Sequence, residues 1–262
     1  MKRYKGFLLD LDGTIYRGNE PIPEAVVFME QLRKRNIPYL FLTNNSSTSP
    51  ENVARRLEGM GIPTKGEEVY TTSMAAATYL RDQLPQGAHI YVIGEQGLVH
   101  ELEEVGYHLT AEQPDAVVVG IDRSFTYEKL AIAAKAIRQG ARFLATNNDA
   151  ALPTEHGLTP GNGSLVAAVA VASGAEPVVV GKPEPLIVDY ALRKLGLDKS
   201  DTLLIGDNLH TDILAGRNSG VDSLLVYTGY SKEADIERFR IQPTYEADSL
   251  TQWWEAYSPF LD

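Results

Sequence analysis

The sequence predicts an α/β protein with mainly parallel sheets, and two observations support this fold class. Short apolar runs alternate with stretches of helical periodicity over most of the chain, which is the pattern of consecutive β–α–β units. The number of these units exceeds what one small sheet needs, and 262 residues are enough for two domains that each have a hydrophobic core. We therefore expect two α/β domains.

Local signals give the elements in chain order. The predicted strands are 6–11, 39–43, 89–93, 116–120, 142–146, 177–180, 202–205 and 223–227, and the predicted helices are 23–35, 49–61, 73–84, 97–105, 126–139, 164–173, 185–195 and 212–219. Ser49 before Pro50 indicates a helix start, because an N-cap residue is often followed by proline. Ser73 is the expected N-cap of the next helix.

Charge and composition exclude several classes of function. With 24 basic and 35 acidic residues the formal net charge is −11, which makes nucleic acid an unfavourable partner. A small phosphorylated substrate is also repelled at long range, so its site needs local positive charge. There is no cysteine, which excludes disulfides, thiolate zinc sites and cysteine nucleophiles.

Targeting signals are not apparent in the sequence. The N-terminal residues lack the apolar core and cleavage site of a signal peptide, and no apolar run approaches the roughly 20 residues that span a bilayer. We expect a cytoplasmic protein without a membrane partner.

The first candidate site residues are Asp10 and Asp12, which follow an apolar strand. Alternate residues of a strand point the same way, so we expect the two carboxylates to lie close together near the core. Like charges there are costly unless a cation offsets them, and carboxylates suit Mg²⁺. The structural alternative is an ordinary turn at the end of a strand.

Three further strands end in polar groups. Thr43, Asn44 and Asn45 offer hydroxyl and amide groups to a phosphoryl oxygen, although such residues are also common in loops. Lys182 could supply a point positive charge to phosphate, or it could be a surface lysine in a proline-rich turn.

Asp207 and Asp212 lie on either side of a turn into a helix, where Asp212 could be only a capping residue. Ligands of parallel α/β sheets bind at the carboxyl ends of the strands, so one site could collect all four groups.

These four segments resemble the motifs of the haloacid dehalogenase (HAD) superfamily: DLDGT at 10–14, TNN at 43–45, GKP at 181–183 and GDNLHTD at 206–212. Their spacing is similar to that of the NagD-like and 4-nitrophenylphosphatase-like branch. The resemblance implies a Rossmann-like, doubly wound core of residues 1–79 and 177–262, and a large α/β cap inserted over 80–176.

The same resemblance implies a Mg²⁺-dependent phosphatase that forms an aspartyl-phosphate. Asp10 would be the nucleophile, and Asp12 the general acid and then base. The side chains of Asp10 and Asp207 and the backbone carbonyl of Asp12 would hold Mg²⁺, supported indirectly by Asn208 and Asp212.

The resemblance assigns the remaining polar residues to the substrate. Thr43, Asn44, Asn45 and Lys182 would bind the phosphoryl group. Asn147 and Asn148, in a loop after a cap strand, would help to choose the leaving group, or would be ordinary exposed loop residues. His156 and His210 are expected to be surface or supporting histidines.

The partner expected from this assignment is a small phosphorylated metabolite, such as a nucleotide, a sugar phosphate or an aryl phosphate. A phosphotransferase or mutase, and a non-catalytic protein that binds phosphorylated metabolites, remain as alternatives on the same fold. The sequence leaves the oligomeric state open.

Overall fold

The computed structural model describes residues 2–154 and 157–261, which form two units. The first consists of Met1–Thr43, Glu51–Tyr70 and Lys182–Asp262, and the second of Asn44–Pro50 and Thr71–Gly181.

The strands are β1 Gly6–Leu9, β2 Tyr16–Arg17, β3 Glu20–Pro21, β4 Tyr39–Thr43, β5 Val69–Thr71, β6 His89–Ile93, β7 His108–Leu109, β8 Ala116–Val119, β9 Arg142–Ala145, β10 Ala151–Thr154, β11 Gly157–Pro160, β12 Val178–Val179, β13 Thr202–Gly206, β14 Asp222–Val226 and β15 Tyr245–Ala247.

Helices follow most of these strands. They are α1 Pro23–Lys34, α2 Pro50–Gly59, α3 Thr72–Gln83, α4 Gln96–Glu104, α5 Tyr127–Arg138, α6 Asn162–Ser173, α7 Pro185–Leu195, α8 Leu214–Ser219, α9 Glu233–Phe239 and α10 Leu250–Tyr257. A π-helical turn over Leu209–Ile213 precedes α8. In the part of the chain that the structure describes, no helix combines the length and the apolar character needed to cross a membrane.

The main sheet of the first unit has the strand order of a doubly wound nucleotide-binding fold. Its order is β15-β14-β13-β1-β4-β5, so the chain runs outward on one side of β1 and then returns to build the other side. The pairs of β1 with β4 and with β13 are parallel, and Leu9 lies between Phe41 and Ile205. The ends of β1 and β13 therefore meet where the strand order reverses, which is where ligands of such sheets bind.

An aromatic cluster fills part of the core of this unit. Phe7 on β1 packs edge-on against Phe28 of α1 and Trp253 of α10, with ring centroids 5.9 Å away in both cases. Trp253 stacks on Tyr257 at 4.4 Å. Because offset and edge-on aromatic contacts add to the burial of large apolar surfaces, the C-terminal helix is tied to the first strand of the sheet.

The second unit contains its own parallel sheet of order β12-β9-β8-β6-β7. Its central strand β8 is completely buried, with the sequence AVVV, as expected for a strand covered on both faces. Strands β10 and β11 form a separate antiparallel hairpin. The α/β fold class with a Rossmann-like core is thus confirmed.

Several predicted details are wrong. The N-cap of α3 is Thr71, whose side chain accepts a hydrogen bond from Met74 N, whereas the Ser73 hydroxyl donates to Ser46 O. Strand β1 ends at Leu9 and not at residue 11, because the chain turns there. Helix α8 begins at Leu214, since residues 209–213 form the π-helical turn.

The two units do not divide at the expected residues 80 and 176. The second unit begins at Thr71 and extends to Gly181, and it also includes Asn44–Pro50. The reason is that α3 runs unbroken through residue 80 and packs against α4.

Candidate active site

The Lys182 ammonium is the centre of the polar cluster in the first unit. Its nitrogen lies 2.5 Å from Asp10 Oδ1 and 2.7 Å from Asp212 Oδ1, and it also donates to the backbone oxygen of Leu42 at 3.1 Å. Asp10 directly follows β1, and its amide donates to Ile205 O at 2.9 Å. The end of β1 is thereby fixed against β13, and three chain segments converge on one buried lysine.

Three carboxylates surround this lysine. Asp10, Asp207 and Asp212 each place an oxygen within 4.8 Å of the others, and they are the one such acidic or histidine cluster found among residues 2–154 and 157–261. Asp207 Oδ2 accepts a hydrogen bond from the Tyr230 amide at 2.6 Å, and Asp212 Oδ2 accepts one from the Asn208 amide at 3.1 Å.

Two glycines allow Asp207 to reach this position. Gly13 has a φ of +86°, and a Cβ there would lie 2.3 Å from Asp207 Oδ2. A Cβ on Gly229 would lie only 2.0 Å from the same oxygen. Real Cβ contacts are much longer, so the carboxylate of Asp207 occupies space that only glycine leaves open. Both glycines therefore belong to the construction of the site.

Asp12 is placed differently from the expectation. It is exposed, and its side chain is not part of the cluster of three carboxylates among the described residues. Since β1 ends at Leu9, strand alternation no longer sets its direction. Its Oδ2 accepts a hydrogen bond from the Tyr16 hydroxyl at 3.1 Å, and Tyr16 in turn accepts one from Arg56 at 3.3 Å.

The clustering shifts the pKa values of these acids. Burial and then the charge of Asp212 raise the pKa of Asp10 well above its usual value, although Lys182 opposes the shift. Burial, followed again by Asp212, raises the pKa of Asp207 to about 7. The pKa of Asp12 is raised by partial desolvation, against the opposing effects of Tyr16 and Arg56.

Lys182 remains a cation despite its burial. Burial lowers its pKa, but the carboxylates of Asp10 and Asp212 outweigh that effect and raise it above the usual lysine value. Three carboxylates and one ammonium would leave two negative charges, which one divalent cation offsets. Oxygen ligands of this kind fit Mg²⁺, which binds one or two carboxylates together with water and phosphate oxygens. The donor set therefore fits the expected metal.

Residues of the second predicted motif fall in both units. Thr43 is the buried last residue of β4 in the first unit, and Asn44 and Asn45 group with the second. Within the second unit, the backbone oxygen of Asn44 accepts hydrogen bonds from Thr72 Oγ1 and Asn147 Nδ2, both at 2.8 Å. Asn45 Oδ1 accepts from the Ser47 amide at 2.7 Å.

The loop residues predicted to contact the leaving group lie in the second unit. Asn147 is buried, and its backbone oxygen accepts a hydrogen bond from Asn162 Nδ2 at 2.8 Å, while Asn148 is exposed. Of the two expected surface histidines, His210 is exposed with its ring against Phe239. His156 lies outside the described residues.

The sequence analysis did not identify Tyr16, Arg56 and Gly229 as residues of this region. Tyr16 lies four residues after Asp12, but an isolated tyrosine carries no signal for a hydrogen bond to a particular carboxylate. Arg56 is on α2 and Gly229 follows β14, so both are brought to the site only by the packing of the sheet and its helices.

Comparison with known proteins identifies the family. The profile of the haloacid dehalogenase-like hydrolases matches residues 7–108, and a HAD-hydrolase-like profile matches residues 179–253. The chain is 52% identical to 5'-nucleotidase YutF of Bacillus subtilis over 97% of its own length and 98% of that protein. It is 44% identical to an acid sugar phosphatase of Staphylococcus saprophyticus over 96% and 97% of the two chains.

A solved structure is similar over nearly the whole fold. The glycerol phosphate phosphatase of Mycobacterium tuberculosis, determined in complex with magnesium, superposes with a TM-score of 0.89 at 39% identity, over 94% of this chain and 76% of that one. The motifs, the fold and these relatives agree. The chain therefore belongs to the haloacid dehalogenase-like hydrolases and is an enzyme of their phosphatase branch.

Proposed function

We propose that this enzyme hydrolyses small phosphomonoesters in a Mg²⁺-dependent reaction that passes through an aspartyl-phosphate on Asp10. The observation that carries the proposal is the convergence of Asp10, Asp207 and Asp212 on Lys182, which combines a nucleophile, a set of hard oxygen ligands and a fixed cation. A protein that only binds a phosphorylated metabolite would not need both a carboxylate nucleophile and a second acid.

The first half of the reaction uses both acids of the first motif. A carboxylate oxygen of Asp10 attacks phosphorus, and the bond from phosphorus to the ester oxygen breaks. Asp12 gives its proton to the departing oxygen, so that an alcohol leaves and not an alkoxide. Lys182 holds one oxygen of Asp10 at 2.5 Å and thereby fixes the rotation of the nucleophile.

The second half releases inorganic phosphate. Asp12, now a carboxylate, takes a proton from water as that water attacks phosphorus, and the bond between phosphorus and Asp10 breaks. Asp12 is then protonated again for the next turnover. Its contact with solvent is compatible with this role, since the attacking water must reach it.

The metal would be held by the side chains of Asp10 and Asp207 and by the backbone carbonyl of Asp12. Bound there, Mg²⁺ supplies positive charge to the phosphoryl oxygens. The Asp212 carboxylate already accepts hydrogen bonds from Lys182 and from the Asn208 amide. Asp212 and Asn208 would therefore support the metal ligands without binding the metal themselves.

The phosphoryl group would be bound by Thr43, Asn44, Asn45 and Lys182. Asn147 and Asn148 would contribute to the choice of leaving group. The names of the relatives, a nucleotidase, an acid sugar phosphatase and a glycerol phosphate phosphatase, favour small phosphorylated metabolites as the substrate class.

The test is release of inorganic phosphate from a panel of phosphomonoesters, with Mg²⁺ and with EDTA. Wild type is compared with Asp10→Asn and with Asp201→Asn, a control in which an aspartate of a surface ion pair receives the same change. We expect Mg²⁺-dependent release that disappears in Asp10→Asn and persists in the control. An Asp10→Asn protein that keeps a tenth of the wild-type rate would refute the assignment of Asp10 as the nucleophile. If the phosphoryl group stays in organic compounds and little inorganic phosphate is released, the enzyme is a phosphotransferase.

A further inference from the structure

The hydroxyl of Tyr16 stands between an acid and a guanidinium. It is 3.1 Å from Asp12 Oδ2 and 3.3 Å from Arg56 Nη1, and the tyrosine side chain is only 3% exposed. Arg56 is held in turn by the backbone oxygen of Gly18 at 2.6 Å, and its guanidinium lies 4.4 Å from the centre of the Tyr16 ring. The hydroxyl therefore has little freedom to rotate away.

The chemistry of the three groups fixes the direction of the hydrogen bonds. A guanidinium can only donate, so the Tyr16 oxygen must accept from Arg56. The single hydrogen of the phenol then points at Asp12 Oδ2, which is the acceptor on its other side. In a protonated carboxyl group the carbonyl oxygen is the stronger acceptor, so the oxygen that accepts this hydrogen bond is favoured as the carbonyl oxygen. The proton of Asp12 consequently belongs on Oδ1.

We propose that Tyr16, held by Arg56, is a positioning residue that keeps the transferable proton of Asp12 on Oδ1 and orients that oxygen for the leaving group. The inference rests on the proposed function, because it assumes that Asp12 protonates the departing oxygen. Without the Tyr16 hydroxyl the carboxyl group can rotate, and the proton can reside on either oxygen. Proton transfer then begins from a mixture of arrangements, only some of which are productive.

The prediction that distinguishes this role concerns the leaving group. Glycerol phosphate has a poor leaving group that must be protonated as the ester bond breaks, whereas p-nitrophenyl phosphate leaves as a stable anion. In kcat/KM, which covers only the steps up to formation of the aspartyl-phosphate, a defect in positioning the acid therefore slows the first substrate and spares the second. The value of kcat also includes hydrolysis of the aspartyl-phosphate, in which Asp12 is the base for both substrates. A general loss of stability or of phosphate binding affects both substrates alike.

The protein contains a matched control for Tyr16→Phe. The Tyr39 hydroxyl donates to Glu68 at 2.8 Å and accepts from Arg33 at 3.0 Å, and Tyr39 is 7% exposed. It begins β4, at the opposite end of the strand from Thr43. Tyr39→Phe thus removes the same kind of hydroxyl from the same kind of environment, away from the candidate site.

The experiment measures kcat and KM of wild type, Tyr16→Phe, Tyr39→Phe and Asp12→Asn on both substrates with saturating Mg²⁺. For Tyr16→Phe we expect kcat/KM on glycerol phosphate to fall about tenfold, part of the ~10²–10⁴ that a general acid contributes. We expect its kcat/KM on p-nitrophenyl phosphate to change less than about twofold, and Tyr39→Phe to leave both values near wild type.

Two other outcomes would contradict the inference. If Asp12→Asn selectively lowers kcat/KM on glycerol phosphate but Tyr16→Phe changes kcat/KM equally on both substrates, Asp12 is the acid and Tyr16 is only structural. If kcat/KM of Asp12→Asn shows no dependence on the leaving group, the proposed mechanism fails together with the inference. Arg56→Met added to Tyr16→Phe should bring no further selectivity, because Arg56 acts through the missing hydroxyl.

Discussion

The Lys182 ammonium lies 2.7 Å from Asp212 Oδ1, and the two side chains are only 2% and 1% exposed. An ion pair so deeply buried is a costly arrangement for stability alone, because both charges lose their hydration. The pair lies beside Asp10, so the Lys182 cation is also available to bind the phosphoryl group. Removing one partner leaves uncompensated charge in the core.

Substitution Lys182→Met should strongly destabilise the metal-free protein. The variant keeps much of the apolar volume but leaves Asp10, Asp207 and Asp212 without their cation, and we expect the free energy of unfolding to fall by roughly 3 kcal/mol near neutral pH. Denaturant unfolding in EDTA measures it. Lys199→Met, which breaks a half-exposed pair with Asp189, is the control and should change little. Equal stability of the two variants would show that Lys182 does not offset the charge of the three carboxylates.

Asp207 should make the metal-free protein less stable as the pH rises. Burial and Asp212 raise its pKa to about 7 in the folded state, against an ordinary value of 3.8. Between these values the folded protein holds a proton that the unfolded chain has released, so stability falls by up to about 1.4 kcal/mol per pH unit. Below that window the effect is absent, and above it the loss is complete.

The measurement for this pH effect is the difference between wild type and Asp207→Asn in EDTA from pH 4 to 8. The variant cannot titrate at this position, so its stability relative to wild type should increase up to about pH 7 and then level off. A difference that is constant with pH, or that changes in the opposite direction, would show that Asp207 is not protonated in the folded apoprotein.

Magnesium should restore the stability that these carboxylates remove. At pH 8 we expect Mg²⁺ to raise the melting temperature of wild type, because the ion binds the folded protein and offsets its charge. The gain should shrink below pH 7, where protons compete for Asp207. Titration calorimetry of wild type and Asp207→Asn measures the binding directly. Unchanged Mg²⁺ affinity in the variant would exclude Asp207 as a ligand.

The space beside Asp207 can be tested with a single methyl group. A Cβ on Gly229 would lie 2.0 Å from Asp207 Oδ2, so Gly229→Ala should displace that carboxylate and lower Mg²⁺ affinity and kcat by tenfold or more, about 1.4 kcal/mol in binding. The matched change Gly59→Ala, in α2 with no atom within 4 Å of the added Cβ, should leave both unchanged. Similar behaviour of the two variants would mean that the turn relaxes around the methyl group.

Long periodic elements could be predicted well from the sequence. The bounds of β4 and α7 agree with the structure at both ends, because β4 is a short apolar run and α7 is an amphipathic stretch that begins at Pro185 and ends before Gly196. The two-residue strands β2 and β3 were not predicted, since so short a segment has no periodicity. The helix with Trp253 and Tyr257 was also missed, although its rings pack against the first strand.

Some residues of the candidate site could likewise be predicted from the sequence, and others could not. Asp10 and Asp207 could be predicted because they follow β1 and β13, neighbouring parallel strands whose carboxyl ends lie at one edge of the sheet. Lys182 was expected at the end of a strand of the same kind, but that strand, β12, belongs to the sheet of the second unit, and Asp212 lies in the π-helical turn after β13. Asp12 was expected beside Asp10 near the core, but the residue is exposed and its carboxylate is bonded to Tyr16, because the chain leaves the strand at Leu9.

The sequence by itself determined the fold class and the residues of the four motifs, because periodicity and strand-end chemistry are local properties of the chain. Only the tertiary structure decided which groups touch. The contact of Tyr16 with Asp12 and Arg56, and the space that Gly13 and Gly229 leave for Asp207, depend on how distant segments pack. Hydrogen bonds and steric contacts act over a few ångströms, and that proximity is set by the packing of the whole domain.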